Sequence, residues 1–193
     1  MKSERRTGRI KRVVQSTQVD LTVILENIHD PHNVSAVLRS CDAVGVRKVG
    51  LVYTSESFPK IGRQSSASAG KWVERTKFRS VEECYDSLRK DGFLIAASVL
   101  AEESVPLYDL DLTRKIALVF GNEHRGVSAD ASDHADVKFR IPMNGMIQSL
   151  NVSVACAVSL YEALRQRMAK GSLSSHGPGE TEIAKMIDAW LRK

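Results

Sequence analysis

Five short apolar runs dictate what this chain can fold into: LTVILE (21–26), KVGLVY (48–53), FLIAAS (93–98), KIALVF (115–120) and VKFRIP (137–142). None approaches the length needed to span a membrane, so each reads as a buried strand. Between them lie helical patterns. NVSAVLRSCDAVG (33–45) is closed by Gly45. SVEECYDSLRKDG (80–92) opens at Ser80 with Glu83 three residues on, the pattern of a capping box, and ends at Gly92. SLNVSVACAVSLYEALRQR (149–167) is the longest. Buried strands alternating with helices predict an α/β fold, a mainly parallel sheet with flanking helices.

A chain of 193 residues is enough for one such domain. Three segments are expected: a basic N-terminal arm or helix (1–20), the α/β domain (21–170), and a linker with an amphipathic helix (171–193). KGSLSSHGPGE (170–180) has linker composition, and Ile183, Met186, Ile187, Trp190 and Leu191 follow at helical spacing. A lone helix of that length must dock on the domain or on a second subunit.

With 42% hydrophobic and 26% charged residues the composition is that of an ordinary soluble protein. The net charge of +5 is concentrated at the start, where Lys2, Arg5, Arg6, Arg9, Lys11 and Arg12 face only Glu4. Such an arm either is simply solvated or grips a phosphate backbone, in which case its binding is salt-sensitive. The three cysteines, Cys41, Cys84 and Cys156, form no CxxC and no secreted framework. They read as buried, reduced thiols of a cytoplasmic protein. No signal peptide precedes the first strand.

Three clusters follow strands, where α/β sheets place their ligands. In ENIHDPHNVSAVLRS (26–40), Asn33 reads as the helix N-cap. Val34, Val37, Leu38 and Cys41 form the buried stripe, with Ser35, Arg39 and Asp42 on the opposite side. Arg39 could equally be a surface partner of Ser35 or Asp42. His29 and His32 have ligand spacing, but no cysteine or carboxylate completes a set, so no metal is expected. In LVFGNEHRGVS (118–128), Gly121 and Gly126 bracket Glu123. Glu123 stands where a dinucleotide fingerprint needs glycine, and its charge would repel a pyrophosphate. Alone, this is also the pattern of a tight solvent loop. In IPMNGMIQSLN (141–151), Pro142 ends the strand, Met143 and Gly145 expose backbone groups, Ser149 caps the next helix, and Leu150 and Asn151 fill its first turn. An apolar wall with a few fixed polar groups suits a nucleoside-like ligand.

The order N-x5-R, strand–G-x-E-x-x-G, then IPM-x-G-x3-SLNVSVA resembles the SPOUT methyltransferases, and within them the TrmH-type tRNA guanosine 2′-O-methyltransferases. The likeness runs over nearly the whole chain, with no departure at the motif positions. It implies a C-terminal deep trefoil knot, which base rates argue against and which periodicity does not reveal. It implies S-adenosyl-L-methionine held by segments 97–100, 121–126 and 141–151, with Ser98, Leu100, Gly121, Gly126, Ile141, Met143, Ser149 and Leu150 as its contacts. It implies a homodimer acting on tRNA, at guanosine 18 of the D-loop. It assigns catalysis to Arg39, Asn33, Glu123, Ser149 and Asn151, with Glu123 and Asn33 orienting Arg39, and Glu123 a possible base in its own right. A guanidinium is a poor base. Arg39 therefore either takes the 2′-proton with help from an RNA phosphate or stays charged and stabilises the developing alkoxide. Arg5, Arg6, Arg9, Lys11 and Arg12 are the expected RNA contacts. The competing readings are a ribosomal RNA ribose methyltransferase of the same superfamily and a catalytically silent RNA-binding module on the same fold.

Overall fold

The computed structural model describes residues 4–58, 69–171 and 177–193. Lys2 of the basic start and residues 172–176 of the expected linker lie outside them. The element order is α1 (Glu4–Gln15), β1 (Leu21–Glu26), α2 (Pro31–Val44), β2 (Lys48–Val52), β3 (Glu74–Phe78), α3 (Val81–Lys90), β4 (Leu94–Ser98), β5 (Val105–Pro106), β6 (Ile116–Phe120), α4 (Ala129–Asp133), β7 (Val137–Arg140), α5 (Val152–Ala169) and α6 (Glu180–Arg192). The strands form one sheet in the order β3-β2-β1-β6-β4-β7-β5. Every pairing between these strands is parallel. All their carboxyl ends therefore open on one edge, and all their amino ends on the other.

Why both faces are covered can be read along a strand. On β1, Leu21, Val23 and Leu25 join the core under α2 and α5, while Ile24 joins the one under α3 and α4. On β6, Ile116, Leu118 and Phe120 face the first core, and Ala117 and Val119 the second. Alternate side chains point to opposite faces, so a strand buried on both faces must be apolar throughout. Cys41 of α2 and Cys156 of α5 are buried in the first core and Cys84 of α3 in the second, all as free thiols. Burial pushes the Cys84 thiol up to about 12 and the Cys156 thiol well above its ordinary value, with Cys41 beside it.

Helix ends explain several boundaries. Asp30, not Asn33, caps α2: its side chain accepts the His32 N–H at 2.8 Å, and Pro31 sits at the first helical position. Asn33 is consequently inside the first turn. Gly45 ends α2 in the left-handed region (φ 86°), as expected. Ser80 caps α3, and Glu83 reaches back to the Arg79 N–H at 2.9 Å. β7 stops at Arg140, before Ile141 and Pro142.

α5 is anchored at its far end by Arg167, which is fully buried. Its guanidinium donates to the Leu112 carbonyl (3.0 Å), the Gln18 side chain (3.0 Å), the Asp20 carboxylate (2.6 Å) and the Arg114 carbonyl (2.9 Å). α6 docks on α1 of the same chain. Trp190 is buried against Ile10 and Val14, with its ring 4.7 Å from that of Trp72 and 5.1 Å from the Arg47 guanidinium. Arg47 directly precedes β2, and Trp72 lies just before β3. The N-terminal end of the sheet is also met by α1's exit, where the Gln18 N–H donates to the Gly45 carbonyl at 3.0 Å. The α1–α6 pair thus sits at the amino edge.

Candidate active site

The carboxyl edge carries a cleft of about 590 Å³. Ser98, Leu100, Gly121, Gly126, Ile141, Met143, Ser149 and Leu150 line it together with Glu123 and Asn151. Three loops and one helix start supply these residues, from positions spread over more than fifty residues of chain. Asn122, Arg125, Arg140 and Gln148 also line it and were not singled out from the sequence. Asn33 and Arg39 are not part of its lining.

The G-x-E-x-x-G loop is fastened to the connection between β1 and α2 at three places. At its start, the Asn122 side chain donates to the Asn27 carbonyl at 2.7 Å. At its end, the buried Glu26 carboxylate accepts the Ser128 N–H at 2.9 Å. In the middle, one Glu123 oxygen accepts the His29 N–H (2.8 Å) and the other accepts the Asp30 N–H (3.1 Å) and the Asn33 side-chain amide (2.8 Å). α2 has no acid of its own in its first turn. Glu123 adds a second negative charge, beside the Asp30 cap, at a helix N-terminus that favours it. Burial works to raise the Glu123 pKa, and the hydrogen bonds from Asn33 and the two backbone N–H groups outweigh it, holding the carboxyl below its ordinary value. A lowered pKa and occupied oxygens both count against Glu123 as a base and fit it for holding α2.

Gly121 is where the loop closes on itself. A Cβ there would lie 2.1 Å from the Gly126 carbonyl oxygen and 2.2 Å from the Val127 nitrogen, both backbone atoms that cannot swing aside. Gly126 adopts φ 70°, the left-handed conformation that glycine tolerates. Both glycines therefore have steric reasons to be glycine before any ligand is considered.

Asn33 joins the motifs. Its amide nitrogen donates to Glu123, and its oxygen accepts the Asn151 side-chain amide at 3.1 Å. The Glu123 carboxylate can only accept, so the direction of the chain is set. Asn151, not Ser149, caps α5: its oxygen accepts the Ser153 N–H at 2.8 Å and the Ser153 hydroxyl at 2.6 Å. Ser149 and Leu150 precede the helix, so neither Leu150 nor Asn151 lies in its first turn as expected. Both residues remain on the cleft wall.

Arg39 is exposed on α2 and makes no hydrogen bond or ion pair with another described residue. It lies six residues past Asn33, about 9 Å along the helix and about 120° round it. Glu123 and Asn33 bond to each other and not to Arg39, contrary to expectation. Ser35 is buried, not on Arg39's open face, and Asp42 pairs with Arg47 instead. Among the described residues no His, Cys, Asp or Glu group could hold a metal ion, and no helix is long and apolar enough to cross a membrane.

The family profile of the SpoU rRNA Methylase family matches residues 20–161, and the chain belongs to that family. Over 192 residues it is 41% identical to the tRNA (guanosine(18)-2′-O)-methyltransferase of Thermus thermophilus, covering 100% of this chain and 98% of the other. The crystal structure of the Aquifex aeolicus TrmH/SpoU tRNA modifying enzyme superposes with a TM-score of 0.89 at 40% identity, over 97% of this chain and 95% of that one. The SpoU methyltransferase AviRb of Streptomyces viridochromogenes, in complex with the cofactor AdoMet, matches at TM-score 0.69 and 25% identity over 77% and 60%.

Proposed function

We propose that this protein is a tRNA methyltransferase that places a methyl group on the ribose 2′-oxygen of guanosine 18, using S-adenosyl-L-methionine. One observation carries the reading: Glu123, Asn33 and Asn151, each from a different motif, are hydrogen-bonded into a single chain beside the cleft. The full-length likeness to the Thermus thermophilus enzyme supports tRNA and guanosine 18 as the target.

The cleft fits the cofactor. Its volume lies in the range of small-molecule sites, and Leu100, Ile141 and Leu150 offer apolar walls beside Met143, while Gly145 lies outside the lining. Ser98, Gly121, Gly126 and Ser149 would hold it from the other loops. The cofactor supplies the methyl group when bound. Glu123 is a positioning residue that, through Asn33, fixes the Asn151 amide and the start of α5 at the reacting centre. Ser149 lies two residues before that cap on the cleft wall, where its hydroxyl can meet the ribose. Arg39 acts on the substrate side as a charged group stabilising the developing alkoxide, since no carboxylate among the described residues pairs with it and a guanidinium is a poor base.

The assembly is a homodimer. On α5, Val154, Tyr161 and Met168 are exposed at seven-residue spacing, an apolar line suited to burial by a second copy. The α1 cations Arg5, Arg6, Arg9, Lys11 and Arg12 grip tRNA, the domain boundaries follow residues 20 and 170, the C-terminal part is threaded as a trefoil knot, and the enzyme works in the cytoplasm. The likeness to the Aquifex aeolicus fold supports the threading. The test is methyl transfer from labelled cofactor to unmodified tRNA, with ribosomal RNA and a tRNA lacking the 2′-hydroxyl at guanosine 18 as comparisons. Label on ribosomal RNA alone, or on the 2′-deoxy tRNA, would overturn the assignment.

A further inference from the structure

We propose that the edge strand β3 is a track for the RNA backbone, joining the basic α1 at the amino edge of the sheet to the cleft at its carboxyl edge. This rests on the reading of the chain as a tRNA-modifying enzyme and names a surface that reading does not include. β3 pairs with β2 on one side and ends the sheet on the other. Its sequence ERTKF is exposed almost throughout, unlike β1, β2 and β6.

Alternate residues of a strand share a face. Arg75 and Lys77 stand in register with Val49 and Leu51, on the face that also carries α2. Arg79 continues the spacing one residue beyond the strand. Cations two residues apart on a strand lie about 7 Å from one another. The line starts beside Lys71, whose carbonyl accepts the Lys193 ammonium at 2.6 Å at the end of α6. It ends at the carboxyl edge that carries the cleft, with β2 and β1 between it and β6, whose following loop lines the cleft.

The charges are not spent on neighbours. Arg75, Lys77 and Arg79 make no ion pair with another described residue, and all three are exposed. Glu74 points to the opposite face and stands in register with Lys48. At the far end, Glu83 accepts the Arg79 backbone N–H at 2.9 Å. The Lys77 ammonium lies 4.5 Å from the centre of the Phe58 ring, a partner that fixes its position without neutralising it. A row of exposed cations without ion pairs among the described residues, one of them held over an aromatic ring, fits one class of partner, a polyanion with regularly spaced charges. The other use of cations on an edge strand is to deter pairing with another sheet, and the experiment separates the two.

The measurement is the affinity of the full chain for an unmodified tRNA transcript over a series of salt concentrations. The variants are Arg75→Gln, Lys77→Gln and Arg79→Gln, singly and together. Each lost phosphate contact lowers the log–log salt slope by roughly 0.7 to 0.9, so the triple variant should flatten it by about 2 and bind roughly ten-fold or more weakly at low salt. The rate at saturating tRNA and the affinity for S-adenosylmethionine should hold. Lys138→Gln, on β7 near the other end of the sheet, should leave the slope unchanged. If the triple variant misfolds, the single variants carry the test, each lowering the slope by somewhat under one unit. An unchanged slope, with or without new self-association, overturns the track. A wild-type chain that binds tRNA but methylates none overturns the enzymatic reading and leaves the slope comparison standing. A wild-type chain that binds no tRNA overturns both.

Discussion

Asn33 and Asn151 stand 118 residues apart in the chain and 3.1 Å apart in the fold, amide to amide. The bond joins the first turn of α2 to the cap of α5, and Glu123 holds its other end. Asn33→Ala cuts this chain in the middle. Single-turnover methyl transfer should fall roughly ten- to hundred-fold, the size expected when a reacting group is displaced by about an ångström, with cofactor affinity little changed. Asn33→Asp should be worse, because it sets a second carboxylate against Glu123. An Asn33→Ala enzyme with wild-type single-turnover rate would dissolve the network's role.

Asn151→Ala should show two separable losses. The α5 cap goes, at a cost of about 1 kcal/mol in stability, and the methyl-transfer rate drops. Asn151→Asp keeps a capping oxygen and loses the donor to Asn33. It should recover stability in thermal melts without recovering rate.

Glu123 makes stability depend on pH with a definite sign. Its folded pKa lies below the ordinary value of 4.5. Its contribution is therefore fully present above that value and is lost as the pH falls through the folded pKa. Melting temperatures of wild type and Glu123→Gln should differ most near neutrality and converge in acid below pH 4.5. A gap that widens on acidification would contradict the hydrogen-bonded carboxylate described above.

Arg39→Ala should leave the melt of the protein nearly unchanged, because the side chain is exposed and unbonded among the described residues. Methyl transfer should fall by roughly two to three powers of ten. Titration calorimetry should find cofactor affinity intact. Single-turnover rates above a tenth of wild type would remove Arg39 from the mechanism.

Leu150→Asp tests the other wall. The residue is half-buried on the cleft surface, and a carboxylate there sets an unpaired charge against an apolar ring. S-adenosylmethionine binding should weaken severely in calorimetry while thermal stability holds, since Leu150 precedes the helix. Wild-type cofactor affinity would move the nucleoside elsewhere.

β1, β2, β4 and β6 were legible because burial on both faces leaves a nearly continuous apolar run. β3 escaped for the opposite reason: at the edge of the sheet, ERTKF keeps its polar side chains in water and carries no apolar signature. Ser80 was read as the α3 cap that it is, but the caps of α2 and α5 were misplaced. Ser149 and Asn151 are both capping residues, and Leu150 between them made the helix look two residues longer. At α2, Asp30 followed by Pro31 was the better signal, and Asn33 only resembled a cap. The cleft residues were legible as motifs. Arg125 and Arg140 were not, since what fixes them is distant in sequence: Arg125 bonds to Glu56 at 2.8 Å, and Arg140 donates to the carbonyls of Glu102 at 3.1 Å and of Ser104.

Because every strand points the same way, the molecule has two ends of different construction. The carboxyl edge is crowded with mutually dependent atoms: a side chain at position 121 collides with backbone, and Glu123, Asn33 and Asn151 each constrain the next. At the amino edge α1 and α6 are joined by apolar packing around Trp190, Trp72, Ile10 and Val14, beside the buried Arg167 network, and such apolar contact tolerates exchange of volume-matched residues. An engineer wishing to retarget this scaffold to a different RNA would recombine α1 and α6 as an exchangeable cassette and leave the cleft untouched.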